Sequence, residues 1–216
     1  MTVPDITWAV GRLTAVPATH LFARLRHYGA ERIPRVGGVV LALNHFSWVD
    51  VAAFGAACPR KILYVAKAEA FEVPLLGQFM RMWGSFAVRR GEPDREALRM
   101  MRKVVADGEV LGVFVEGTRQ RSGVPGRAQP GAAMVAIHEE APVVPGAVYG
   151  SLHWRFGNFQ PVSIAFGEPL RFDGLPRNAR GYREATVEIE RAVHRLWRWL
   201  GDLDALGRPL VATPPR

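Results

Sequence analysis

Cysteine and lysine are almost missing from this chain. Cys58 is the single cysteine in 216 residues. One thiol excludes an intrachain disulfide and a cysteine-cluster metal site, and it is compatible with a reduced, cytoplasm-facing compartment. Lys61, Lys67 and Lys103 are the only lysines, so 25 of the 28 basic residues are arginine. Long hydrophobic runs are absent too. A membrane-spanning helix needs roughly 18–20 uninterrupted apolar residues. The nearest approach, Ile6 to Leu25, is broken by Arg12, Pro17, His20 and Arg24. Nor does it read as a signal peptide, having no basic leader and no clear small-residue cleavage site. No Gly-x-Ser-x-Gly elbow occurs, which leaves the usual hydrolase geometry without sequence support. There is no zinc-finger or RNA-recognition signature, no internal repeat and no low-complexity tract.

What is present is ordinary in bulk and basic in charge. The length fits one domain, with two small ones as the alternative. Apolar residues make up 49 % and charged residues 22 %, which excludes a largely disordered chain. The net charge of +8 suggests an anionic partner: nucleic acid, an anionic membrane or a phosphorylated substrate. A chain rich in Ala, Gly, Arg and Pro gives the same excess from composition alone.

The pattern along the chain alternates short β-rich runs with helical periodicity. Strands are expected at Gly38–Leu43, Lys61–Val65, Phe86–Val88, Val110–Val115, Val143–Tyr149 and Val162–Phe166. Helices are expected at Trp48–Ala57, Pro74–Trp83, Pro93–Ala106, Ala132–Glu140 and Tyr182–Leu200. This order predicts an α/β domain over residues 29–206, with helices covering a mainly parallel sheet. Residues 1–28 read as an N-terminal amphipathic helical segment, either interfacial or packed on the domain's own core. Residues 207–216, with three prolines, are expected to form a flexible tail.

Two buried-strand patterns end abruptly in polar groups. The first is followed by Asn44-His45-Phe46-Ser47-Trp48-Val49-Asp50. Reactive groups in open α/β sheets gather at the carboxyl ends of strands. His45 and Asp50 can meet if the histidine precedes a helix and the aspartate lies in its first turn. A carboxylate on one imidazole nitrogen fixes the tautomer and makes the other nitrogen a better base. Ser47 to Asp50 also fits a helix capping box, which needs no catalysis. The second run ends in Glu116-Gly117-Thr118-Arg119, where a tight glycine turn, a hydroxyl and a guanidinium suit a phosphate monoester. Taken by itself, the motif is better accounted for by a plain strand-to-loop turn with a solvated arginine. Gly84 to Arg90 delivers two adjacent arginines, and Pro145 inside an apolar run suggests an edge or irregular strand.

Taken in order, these segments resemble the glycerophospholipid acyltransferases, the lysophosphatidate acyltransferases in particular. His45 and Asp50 match the family's Asn-His-x4-Asp block. Gly84 and Arg90 match its Gly-to-Arg block. Phe114, Glu116, Gly117, Thr118 and Arg119 match its Phe-Pro-Glu-Gly-Thr-Arg block, with Val115 in place of the proline. Val144 and Pro145 match its Val-Pro block, and Lys67 falls in a segment like its Lys-x-Glu-Leu-Phe.

The resemblance implies acyl transfer from a thioester on coenzyme A or acyl carrier protein to a lysophosphatidate hydroxyl. His45, oriented by Asp50, would act as base. Glu116, Gly117, Thr118, Arg119 and Arg90 would hold the acceptor's phosphate, and Lys67 would stabilise the oxyanion. It implies no metal and no further cofactor, and a peripheral place on the cytoplasmic face of the cell membrane. Alternatives are glycerol 3-phosphate or another lysolipid as acceptor, a thioesterase using Ser47 or Cys58, and a basic nucleic-acid-binding module.

Overall fold

The structure, a computed structural model, describes residues 5–67, 86–88 and 95–216. The expected helix at 74–83, Gly84, Arg89 and Arg90 lie outside the described residues. Seven strands are present: β1 (Arg26–Tyr28), β2 (Val39–Leu43), β3 (Ile62–Lys67), β4 (Phe86–Val88), β5 (Val110–Phe114), β6 (Val143–Tyr149) and β7 (Ser163–Phe166). They form one sheet in the order β1-β7-β6-β2-β5-β3-β4. Each neighbouring pair is parallel except β6–β7.

The central strand explains the layers. All five residues of β2 are buried, as a continuous Val-Val-Leu-Ala-Leu run predicts for a strand covered on both faces. Val39, Leu41 and Leu43 enter the core under α1 (Asp5–Phe22) and α2 (Val49–Ala57). Val40 and Ala42 enter the opposite core, under α3 (Arg95–Ala106), α4 (Gly131–Glu139) and α5 (Ala179–Ala205). Each fully buried Val or Leu contributes about 1.5–3 kcal/mol of burial free energy, so this period-2 split fixes the strand's register.

Four expectations change. Arg26–Tyr28, assigned to the helical N-terminal segment, is a three-residue edge strand paired with β7, too short to carry a periodic signal. The helix α1 is continuous through Pro17, but the apolar residues among its described side chains do not share a face. Val16 and Phe22 pack on the core, whereas Leu13 and Leu21 are 75 % and 62 % exposed. Pro145 lies in a central strand, not an edge. It is tolerated there because the β6–β7 ladder is interrupted at that point, between Gly146↔Phe166 and the Val143↔Leu170 bridge. Residues 207–216 are tied down. Tyr28 Oη donates to the Pro209 carbonyl at 2.7 Å, and Arg32 donates to that of Pro214 at 2.8 Å. The prolines stop regular structure but leave carbonyls that buried donors use.

Candidate active site

Leu43 of β2 and Phe114 of β5 are register partners. The segments that follow them therefore leave the sheet side by side, at the carboxyl end of its centre. Asn44 anchors the first. Its buried side chain donates to the Val148 carbonyl at 3.1 Å and accepts the Val148 N–H at 2.8 Å, extending the sheet by one side-chain pair.

His45 comes next. Its ring lies flat on Phe114, with centroids 3.9 Å apart and planes at 18°. Its Nδ1 is 2.8 Å from Asp50 Oδ2, and 16 % of its side chain is exposed. Asp50 is fully buried in the first turn of α2. Its Oδ2 also accepts the N–H groups of Phe46 and Ser47, at 2.7 and 2.8 Å. The Ser47 bond is half of the expected capping box, so cap and histidine partner are the same oxygen. Since a carboxylate only accepts, the network assigns the proton to Nδ1 and leaves the Nε2 lone pair free.

Glu116 is buried behind this pair. Its Oε2 accepts the His45 N–H at 2.8 Å and its Oε1 accepts the Gly126 N–H at 2.9 Å. Burial pushes its carboxyl up to about 7. The two N–H bonds oppose the shift, and the nearby Asp50 charge adds to it. The His45 carbonyl in turn accepts the Gln120 N–H at 2.8 Å. Both backbone polar groups of His45 are thus held by the second segment.

Gly117 has φ 72°, a turn conformation that favours glycine. It sends Thr118 and Arg119 outward, and both are exposed. Arg119 makes no ion pair or side-chain hydrogen bond among the described residues, so its fork is free to take an anion. The structure therefore brings together His45, Asp50 and Glu116, with Gly117, Thr118 and Arg119 in the adjoining turn. Lys67 ends β3, whose register partner in its first half is β5; its side chain lies outside the described residues, as does Arg90.

Sequence reasoning missed the supports of the 120–130 loop. The Ala128 N–H donates to Glu190 Oε2 of α5 at 2.7 Å, and the Gln129 N–H donates to the Val115 carbonyl at 2.7 Å. Bonds donated by backbone N–H groups leave no residue-type signal at the donating end. Cys58, a considered nucleophile, is fully buried, and burial raises its thiol to about 11. A thiol in that state is inert. Among the described residues no group of three or more His, Cys, Asp or Glu is placed to hold a metal ion. None of the described helices is long and apolar enough to cross a membrane.

A His–Asp pair at the carboxyl end of a central parallel strand, beside a glycine turn carrying an exposed arginine, places an imidazole and a guanidinium together at one end of an α/β sheet. The family model described as Acyltransferase matches residues 24–149, and the chain belongs to that acyltransferase family. It is 34 % identical over 158 residues to the 1-acyl-sn-glycerol-3-phosphate acyltransferase of Bacillus subtilis, covering 71 % of this chain and 78 % of the relative. It is 24 % identical over 175 residues to the enzyme of that name from Streptococcus pneumoniae, covering 79 % of this chain and 65 % of the relative. The fold matches that of the crystal structure of the 1-acyl-sn-glycerophosphate acyltransferase PlsC from Thermotoga maritima. There the TM-score is 0.71 at 22 % identity, over 92 % of this chain and 80 % of the other.

Proposed function

We propose that the protein transfers a fatty acyl group from an acyl thioester to the free hydroxyl of lysophosphatidate, giving phosphatidate for phospholipid synthesis. The observation that carries this reading is the 2.8 Å contact between His45 Nδ1 and Asp50 Oδ2, with Nε2 left free at the partly open end of the sheet. It is supported by the names of the relatives matched above.

In this reading His45 Nε2 takes the proton from the acceptor hydroxyl as its oxygen attacks the thioester carbonyl. Asp50 stabilises the imidazolium that forms. The tetrahedral intermediate collapses, the C–S bond breaks, and the thiolate recovers the proton from Nε2. Base assistance of this kind supplies about 10²–10⁴-fold, and positioning adds to it. Arg119 and Thr118, with Arg90, take the acceptor's phosphate. Lys67 supplies charge where the oxyanion develops. Glu116 acts differently from a phosphate ligand. Both of its oxygens are occupied by backbone N–H groups, and a carboxylate would repel a phosphate. Its part is to hold the base's segment against the arginine's segment.

The donor is an acyl thioester of coenzyme A or acyl carrier protein, and the protein works docked on an anionic membrane face from which the acceptor is drawn. The test offers purified protein lysophosphatidate, glycerol 3-phosphate, another lysolipid or no acceptor, each with labelled acyl-coenzyme A or acyl carrier protein. Labelled phosphatidate, formed only with lysophosphatidate, is expected. Fatty acid release at the same rate without acceptor would make the protein a thioesterase instead.

A further inference from the structure

The loop joining β6 to β7 leaves the sheet at the end where β2 delivers His45. It carries Trp154, which is buried in the core, and Phe156 and Phe159, which are not. Phe156 is 73 % exposed and Phe159 is 45 % exposed. Both rings stand against Phe22 at the end of α1, with centroids 4.8 and 5.8 Å away. Trp154 Nε1 donates to the Phe22 carbonyl at 3.3 Å. The Trp154 ring meets Trp48 edge-on at 5.1 Å, and Trp48, three positions after His45, is itself 58 % exposed. A continuous aromatic ridge thus runs from the outer end of α1 to the rim of the site.

Its charge is as one-sided as its polarity. Residues 6–30, 117–138 and 141–167 contain seven arginines and no Asp or Glu. Those segments supply α1 beyond its first residue, Asp5, together with the Arg119 loop and the 150–162 loop. Arg24 and Arg155, both exposed, lie next to the ridge in sequence. A soluble protein partner would be met by mixed charge, and an apolar chain alone would not call for arginines. Aromatic side chains flanked by arginines and free of acids fit the headgroup boundary of an anionic bilayer.

We infer that the 150–162 loop is a membrane-contact element in its own right, with Phe156 and Phe159 inserted at the lipid headgroup boundary and Arg155 facing anionic headgroups. The inference rests on the reading of the protein as a lipid acyltransferase. It adds that docking is shared between α1 and this loop, so that the mouth of the His45 site faces the bilayer. The exposed Leu13 and Leu21 of α1 then have the same explanation as the two phenylalanines.

The experiment uses the full chain and vesicles of phosphatidylcholine with or without phosphatidylglycerol, scored by sedimentation at low and high salt. Phe156→Ser/Phe159→Ser should lower partitioning onto anionic vesicles by about ten-fold or more at both salt levels, since apolar insertion is not screened. Arg155→Glu should lower it by on the order of ten-fold at low salt only. Both variants should melt like the parent and keep its turnover of a short-chain, vesicle-free acceptor. Unchanged partitioning of both variants overturns the inference. So does unchanged partitioning with a raised KM for the short-chain acceptor, which would assign the ridge to the substrate's acyl chain. So does loss of a parent dimer with vesicle binding intact, which would assign it to a second copy. Vesicle binding that depends on Phe156 and Phe159 in a protein without acyl transfer would leave the docking element standing and remove the enzymatic reading.

Discussion

The backbone N–H of His45 donates to the Glu116 carboxylate at 2.8 Å, and the other oxygen of that carboxylate takes the Gly126 N–H at 2.9 Å. One buried acid therefore joins the segment that carries His45 to the loop that carries Arg119. The two motifs are 71 residues apart in sequence and mechanically one unit.

That junction responds to pH. Burial holds the Glu116 carboxyl at about 7, above its ordinary 4.5. Between those values the folded protein keeps a proton that the unfolded chain has released. The stabilising contribution is full below pH 4.5 and is lost as pH rises through 7. Glu116→Gln stays neutral and removes the decline. Relative to the parent, its stability should rise between those limits, by on the order of 3 kcal/mol at most. Its amide NH2 also faces one N–H that loses its acceptor, so acyl transfer should fall about ten-fold. Denaturation midpoints of both proteins across pH check this; parallel curves would contradict it.

Asp50→Asn keeps an oxygen for the Phe46 and Ser47 N–H groups but removes the charge beside the imidazole. Turnover should drop by about 10²–10⁴-fold with a melting temperature within a few degrees of the parent. Circular dichroism melts alongside the assay separate this from loss of the cap, which costs about 0.5–2 kcal/mol. A folded variant with near-normal turnover would show that the aspartate acts only as a cap.

Arg119→Ala should raise the KM for the phosphorylated acceptor by about ten-fold or more, the value of a charge-assisted pair. The KM for the thioester should change little, and Arg90→Ala should act in the same direction but less strongly. Steady-state kinetics with each substrate varied in turn give the comparison. Equal changes in both KM values would remove Arg119 from the phosphate site.

Arg208 is a structural prediction. Its buried guanidinium donates to Ser163 Oγ at 2.9 Å and to the carbonyls of Arg24 and Val162 at 2.7 and 2.8 Å. Arg208→Ala removes the guanidinium bond to the Arg24 carbonyl and one of the two donors at the Val162 carbonyl, which keeps the Arg26 N–H, at the junction of α1, β1 and β7. The cost should be about 3 kcal/mol in urea unfolding, and deletion of residues 207–216 should cost at least as much. A tail deletion with unchanged stability would contradict the tied-down terminus.

The sheet and the polar segment that follows β2 were legible because they write themselves in residue types. β2 and β5 are continuous apolar runs that stop at polar residues, and stopping points at the carboxyl ends of strands are where ligands gather. The spacing allowed His45 and Asp50 to meet only if the histidine preceded a helix, the resemblance to the acyltransferase blocks favoured that pairing, and a capping box explained Asp50 as well. The structure shows one oxygen serving both. Glu116 was legible as the polar stop to β5 but not in its contacts, because its partners are backbone N–H groups of Gly126 and His45 that no side chain announces. Glu190, which takes the Ala128 N–H from α5, was hidden for the same reason. The three-residue β1 had no period to detect. The aromatic ridge was hidden because Phe22, Trp48 and Phe156 come from three distant segments.

The most direct measurement is single-turnover transfer of a labelled acyl group from thioester to lysophosphatidate by the parent and by His45→Ala, with melting curves of both. The parent should form labelled phosphatidate, and the variant should melt normally and form it at least about 10²-fold more slowly. A folded His45→Ala protein that forms phosphatidate at the parent's rate would remove His45 as the base and with it the proposed mechanism.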